Sequence, residues 1–228
     1  MDGRIELASY TGNATECVNG VIGRFGNLVT LNTFGTGYYS ESNGALYHPL
    51  TVANAADGFW HSSLSFTKEG CIDMWIKLDG WSWANTNADD ASQHRIFMDT
   101  GYKVWLYFHH GEGLHWTIVD DNSVFRRVSC TTCSLTAGTW YHISATWSAL
   151  SGTMALYLNG TSIASGSVAP LTINGNTKMT IWWGKYGTDT DKGLRGYIDG
   201  ILYRGYPVSF LSDRNDKRHG YDDVSLII

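Results

Sequence analysis

The chain has 228 residues, 43% of them hydrophobic, enough to bury a sizeable core, and all-β sandwiches commonly reach this length as one domain. A net charge of −5 with scattered Lys and Arg leaves no basic footprint, which argues against nucleic acid and anionic membrane as partners. Twenty-six glycines against three prolines, with 14% aromatic residues, suit many short strands joined by glycine turns and disfavour long helices.

Met1-Asp2-Gly3-Arg4-Ile5-Glu6 lacks the apolar core of a secretory signal, and nothing in the sequence approaches the ~18 consecutive apolar residues of a membrane span. Arg4 to Ala8 alternates weakly and reads as an edge strand. Thr11 to Gly23 is rich in Gly, Asn and Thr and reads as loop, as does Asn32 to Gly44 with Tyr38, Tyr39 and Glu41. Leu64 to Phe66, Ile72 to Leu78, Arg95 to Met98, Val104 to Phe108 and Trp116 to Val119 then read as successive strands, each with one buried face. The glycine-rich His109-His110-Gly111-Glu112-Gly113-Leu114-His115 segment is a hairpin turn between two of them.

Gly138 to Gly160 carries the clearest pattern. Ile143, Ala145 and Trp147 alternate with His142, Ser144 and Thr146, and Met154, Leu156 and Leu158 alternate with Ala155 and Tyr157. Two half-buried strands therefore flank the polar Ser148 to Gly152 loop, and Ile143, Trp147, Leu156 and Leu158 point to the core. Asn159-Gly160 supplies the φ > 0 pair of a two-residue turn into a third strand, Thr161 to Gly166. Beyond Tyr206, Asp213 to His219 reads as a solvated loop, and apolar Val224 to Ile228 as either a last strand or a docking tail. With no linker and no repeat, residues 1–228 read as one domain, its core at about 24–206 after an N-terminal loop segment and before a C-terminal tail, 207–228.

The order Trp-Tyr-His, loop, aliphatic strand, Asn-Gly and return strand resembles the middle of laminin G-like domains, members of the concanavalin A-like lectin and glucanase superfamily. Phe25-Gly26-Asn27-Leu28-Val29-Thr30-Leu31 resembles the family's opening strand, and Gly70-Cys71-Ile72-Asp73-Met74-Trp75-Ile76-Lys77-Leu78 its Trp-bearing strand. Gly196-Tyr197-Ile198-Asp199-Gly200-Ile201-Leu202-Tyr203 resembles the closing strand. The resemblance implies an all-β jelly-roll sandwich of two antiparallel sheets. Function is less constrained, because this fold hosts lectins, adhesion modules, hydrolases and structural spacers.

Hydrolases of this superfamily typically set their carboxylates on one strand as Glu-x-Asp-x-x-Glu, and no such string occurs here. The only glutamates, Glu6, Glu16, Glu41, Glu69 and Glu112, are dispersed, and Asp73 reads as a solvent-side strand residue. The expectation is therefore no catalysis. His109 to His115 lacks the His-Glu-x-x-His spacing of a zinc site, and His142 matches a family position where a histidine packs structurally. Cys130-Thr131-Thr132-Cys133 has no second pair to complete a four-thiolate site. Reduced thiols, a Cys130–Cys133 bridge and a Cys17–Cys71 bridge all stay open.

Laminin G-like and related lectin domains often hold Ca²⁺ at a sandwich rim, which makes calcium the one cofactor the resemblance implies. The best clusters are Asp120-Asp121-Asn122 and Asp189-Thr190-Asp191, each also an ordinary acidic turn. For sugar binding, indole rings stack on pyranose faces while neighbouring polar groups take the hydroxyls. Trp81 and Trp83 lie in a polar loop with Asn85 and Asp89, and Trp182 belongs to a strand in which it faces away from Ile181 and Trp183. The resulting expectation is a surface-exposed adhesion module that binds a glycan or cell-surface ligand. A virion decoration, fibre or appendage protein, built as a homo-oligomer or assembly component, would reconcile such an outward-facing fold with the missing signal. A purely structural assembly protein is the alternative, and a divergent glycoside hydrolase a more distant one.

Overall fold

The computed structural model describes the backbone of residues 4–8, 21–22, 28–29, 32–34, 38–40, 45–48, 57–79, 93–99, 101, 103–109, 113–174, 177–185 and 194–204. Side chains are described at 45, 47, 66–79, 96–97, 101, 103–108, 113–174 and 194–199. Every regular element among these residues is a strand: β1 Arg4–Ala8, β2 Val21–Ile22, β3 Leu28–Val29, β4 Asn32–Phe34, β5 Tyr38–Ser40, β6 Ala45–His48, β7 Asp57–Phe66, β8 Glu69–Leu78 and β9 Gln93–Asp99. These are followed by β10 Val104–His109, β11 Gly113–Val119, β12 Phe125–Cys130, β13 Trp140–Ser148, β14 Thr153–Leu158, β15 Thr161–Ser167, β16 Thr177–Lys185 and β17 Gly196–Arg204.

Two antiparallel sheets form the jelly-roll sandwich. The first runs β15-β14-β13-β8-β17-β6-β5, with β1 also on β17, and the second β12-β11-β10-β9-β16-β7-β4; β2 and β3 pair separately. β7 belongs to the second sheet and β8 to the first, so the two residues Thr67 and Lys68 carry the chain across the core. It also changes sheet between β4 and β5, β6 and β7, β8 and β9, and β12 and β13, and on either side of β16.

Period-2 alternation sets what lies between the sheets. Ile72, Met74, Ile76 and Leu78 of β8 and Ile143, Ala145 and Trp147 of β13 meet Val104, Leu106 and Phe108 of β10 and Leu114, Trp116 and Ile118 of β11. Leu156 is fully buried with them, and Leu158 packs partly buried at their margin. Two indoles bridge the layers. Trp116 Nε1 donates to the Thr146 carbonyl at 3.1 Å and Trp147 Nε1 to the Thr67 carbonyl at 2.9 Å, so neither buried N–H is left without an acceptor.

The Asn159-Gly160 turn forms as its sequence predicts, with φ of 48° and 80°. Asn159 Oδ1 accepts from the His142 amide at 2.8 Å while the Asn159 amide donates to the His142 carbonyl at 2.8 Å, which extends the β13–β14 ladder by one pair. Asn32 to Gly44 departs from the expectation of a loop: it holds β4 and β5, whose glycine-rich flanks masked two three-residue strands. β12 is a further unpredicted strand. Phe125-Arg126-Arg127-Val128 shows no clean alternation, because Arg126 turns inward to a buried carboxylate.

Candidate ligand-binding rim

The sequence-derived site residues separate in the structure. Trp81, Trp83, Asn85 and Asp89 lie outside the described residues, as do Asp189 and Asp191. Trp182 lies on β16, opposite Trp60 of β7 and Met98 of β9 in register, and its side chain is outside the described set. Asp120 and Asp121 close the β11–β12 turn.

Toward the end of β8 the first sheet assembles a row that sequence reasoning missed. Lys77 of β8 is opposite Trp140 of β13 on one side and Tyr197 of β17 on the other, and Tyr197 is opposite Tyr47 of β6. Ile76 and Leu78 point inward, so all four side chains emerge on the outer face. Lys77 Nζ sits 4.2 Å from the Tyr197 ring centre and 5.2 Å from that of Trp140. The Tyr47 and Tyr197 rings lie 4.6 Å apart and those of Trp140 and Tyr197 6.2 Å apart. The ammonium is thus held between two π faces, an arrangement that fixes a flexible side chain by cation–π attraction.

Asp79, immediately after β8, finishes the row. Tyr47 Oη donates to Asp79 Oδ2 at 2.6 Å, and Arg195 Nε stands 4.0 Å from the same oxygen. Burial, reinforced by the bond to the Asp79 carboxylate, pushes the Tyr47 phenol up to about 12, so it remains a neutral donor throughout the physiological range. The Asp79–Arg195 pair is more than a third exposed on both sides and contributes little to stability. Its chemical value is as a paired acceptor and donor beside aromatic faces, the combination that hydroxyl-rich ligands use. Each of these residues was visible in the sequence, but their adjacency depends on the register of four strands from distant parts of the chain.

Deeper on the same outer face lies a closed polar layer. Cys71 Sγ donates to Asp73 Oδ2 at 3.2 Å and lies 3.3 Å from Ser144 Oγ; His142 Nε2 is 3.6 Å from Asp73 Oδ1, and its ring packs 5.2 Å from Trp75. Asp73 and His142 are 3% and 1% exposed. Asp73 is therefore not the solvent-side residue its alternation predicts, and β8 and β13 bury both faces instead of one. His142 is packed structurally, as expected. A thiol, a carboxylate, an imidazole and a hydroxyl in sequence of contact invite a catalytic reading, but full burial removes them from any substrate. Asp73 is the hub of this layer: it accepts from Cys71 and stands within ion-pair distance of His142.

The β11–β12 turn shows what its aspartates do. Asp120 Oδ1 accepts from the amides of Asn122 and Val124 at 3.0 and 2.9 Å, and Oδ2 lies 3.5 Å from Arg126 Nε. Asp121 Oδ1 is 3.5 Å from Lys103 Nζ, and Oδ2 accepts from the Asn174 amide at 2.7 Å. These carboxylates already have cationic and N–H partners supplied by the chain, so Asp120 and Asp121 do not fit a Ca²⁺ site, which needs six to eight free oxygen ligands. Among the described residues no group of three metal-ligating side chains comes together.

Cys130 and Cys133 form a disulfide. Of the pairings open in the sequence, this is the one made. Cys71 keeps its thiol, bonded to Asp73 and Ser144, so the Cys17–Cys71 bridge is absent.

Residues 52–203 match the Laminin_G_3 family model, of the concanavalin A-like lectin/glucanases superfamily. The fold is similar to the receptor-binding domain of botulinum neurotoxin mosaic serotype C/D, with TM-score 0.66 and 12% identity over 95% of this chain and 51% of that one. It is also similar to the binding domain of Paraclostridial Mosquitocidal Protein 1, with TM-score 0.68 and 14% identity over 92% and 51%, so the chain spans about half the length of these structures. A heptameric SAP-like pentraxin from Limulus polyphemus aligns with TM-score 0.50 and 14% identity over 69% of this chain and 72% of that one. No curated protein matches the sequence. At these identities the likeness is one of fold.

Proposed function

Because the chain belongs to the concanavalin A-like lectin/glucanase superfamily, we propose that it is a non-catalytic binding module whose ligand is a glycan or glycan-bearing cell-surface molecule. The single observation that carries this reading is the row Trp140–Lys77–Tyr197–Tyr47 ending at Asp79–Arg195. It offers flat aromatic faces, a pinned cation and a paired acceptor and donor, and it ends at Asp79, two residues ahead in the chain of the polar segment with Trp81, Trp83, Asn85 and Asp89. Together the rim and loop form one glycan platform in this reading, with Trp182 on the other sheet outside it. A receptor-binding or pentraxin fold in other proteins is compatible with such a role. We further place the module on an exposed surface such as a virion decoration, fibre or appendage, where repeated copies would add avidity to weak single contacts. Calcium is assigned no role at Asp120 and Asp121; at Asp189 and Asp191 it stays part of the proposal.

A glycan array probed with the full chain tests this. Trp140→Ala and Trp81→Ala should each weaken binding to the array's positive glycans by about tenfold, the scale of one stacked ring, with the melting temperature nearly unchanged. Full binding by both variants, or no positive glycan at all, rules the platform out.

A further inference from the structure

We propose that the outer face of the second sheet is a separate binding site for acidic saccharides, in which Arg127 meets a sugar carboxylate and Phe125 and Trp105 take the sugar's apolar face. This goes beyond the rim: it lies on the opposite sheet and selects a charge.

Register brings the residues together. Thr117 of β11 is opposite Trp105 of β10 and Arg127 of β12; one pair further along stand Tyr107, His115 and Ser129, and one pair back Val119 and Phe125. The Trp105 and Phe125 rings lean together across two strands, 5.3 Å between centres. The Arg127 guanidinium lies 4.7 Å from the Phe125 ring and 5.6 Å from that of Tyr107. Tyr107 stacks on His115 at 4.8 Å, and His115 Nδ1 is 2.7 Å from Ser129 Oγ. Beneath them Thr117 is fully buried, and its hydroxyl has no hydrogen-bond partner.

A layer of long side chains over an outer sheet face is ordinary cover, and two facts set this one apart. The first is exposure: Phe125 is 47% exposed and adjoins Val124 at 41%, an apolar surface left in water. The second is charge. Lys103 and Arg126 each have an aspartate, whereas Arg127 has no carboxylate partner among the described residues, in a chain of net charge −5. Its guanidinium carbon lies over the Phe125 and Tyr107 rings, and an incoming carboxylate would meet its N–H fork in the two-point geometry that guanidinium favours. A ligand that fills both features carries an anionic carboxylate on a ring with an apolar C–H face. An acidic sugar has that shape; an acidic peptide supplies the charge without the flat face.

Calorimetric titration of the full chain with oligosaccharides of hyaluronan, alginate and polygalacturonate, each beside its carboxyl-reduced counterpart, tests the site. At least one acidic series should bind, with its reduced form about tenfold weaker or more, the scale of a charge-assisted bidentate pair. Arg127→Gln should lose the same factor and Arg127→Lys should recover part of it. Phe125→Ala should weaken binding by about tenfold through lost stacking. Both side chains are exposed, so unchanged melting temperatures will show that the fold is intact. Trp140→Ala should leave this binding untouched, so failure at the rim and failure here are separate results. The proposal is overturned by no binding in any acidic series, by equal binding of the reduced forms, or by full affinity in Arg127→Gln. Poly-glutamate binding of equal strength with the same Arg127 dependence would replace the saccharide by an acidic polypeptide.

Discussion

Gly70 shows how one residue type decides a core contact. It is opposite Trp147 in the β8–β13 register, and a Cβ built on it would come within 2.2 Å of the Trp147 ring. That indole packs on Phe66 and Trp116 at 5.5 and 5.9 Å and holds the Thr67 carbonyl, so it has nowhere to retreat without losing the bond at the crossing between sheets. Gly70→Ala should therefore lower unfolding free energy by about 1–3 kcal/mol in chemical denaturation, the range of overpacked cores. Trp147→Phe in that background should return part of the loss, since the smaller ring relieves the clash. An alanine variant as stable as the parent would show that the ring adapts freely. Gly70 was visible in the sequence only as the start of a strand; its function as space for an indole 77 positions away was not. Asn159 is the opposite case: its turn needs only itself, Gly160 and the flanking alternation, and local chemistry of that kind reads directly from sequence.

The β11–β12 turn makes the same distinction for a whole element. Two adjacent aspartates in a loop read equally as a cation site or an acidic turn, because sequence shows the anions and hides the partners. The structure supplies them from three places: Arg126 on β12, Lys103 ahead of β10, and the amide of Asn174 after β15. Asp120 is fully buried, and its loss would strand two amides and the inward-facing part of Arg126. Asp120→Ala should thus cost about 2–4 kcal/mol, somewhat below a fully buried pair because Arg126 retains 19% side-chain exposure. Ca²⁺ at about millimolar concentration, the range of extracellular calcium modules, should not shift the melting temperature through this turn. A calcium-induced rise in melting temperature that disappears in Asp121→Asn would restore the cation site. The strands themselves were legible wherever one face is apolar, as in β10, β11, β13 and β14. The alternation hid instead the burial of a second face, at Asp73 of β8 and His142 of β13, and it hid β12 altogether, where Arg126 turns inward.

At the scale of the molecule, the fold was readable because four motifs stand in the right order along the chain, whereas the rim was not, because it is made by neighbours in space. The same logic bears on catalysis. A retaining glycosidase of this superfamily needs two carboxyl groups about 5 Å apart, open to a groove, with one of them able to deliver a proton. The described carboxylates are committed elsewhere: Glu69 Oε1 accepts from Ser148 at 2.5 Å, Asp73 belongs to the buried His142 layer, Asp79 pairs with Tyr47 and Arg195, and Asp120 and Asp121 build their turn. Asp199 is buried at 3% exposure, opposite Trp75. Asp73, Asp120 and Asp199 are buried, and Asp79 is held by Tyr47 and Arg195. Incubation of the full chain with a broad panel of neutral and acidic polysaccharides should accordingly release no reducing ends, including from any glycan that it binds. Turnover abolished by a single Asp or Glu substitution would overturn this expectation and make the chain a hydrolase whose acid and nucleophile lie outside the residues described.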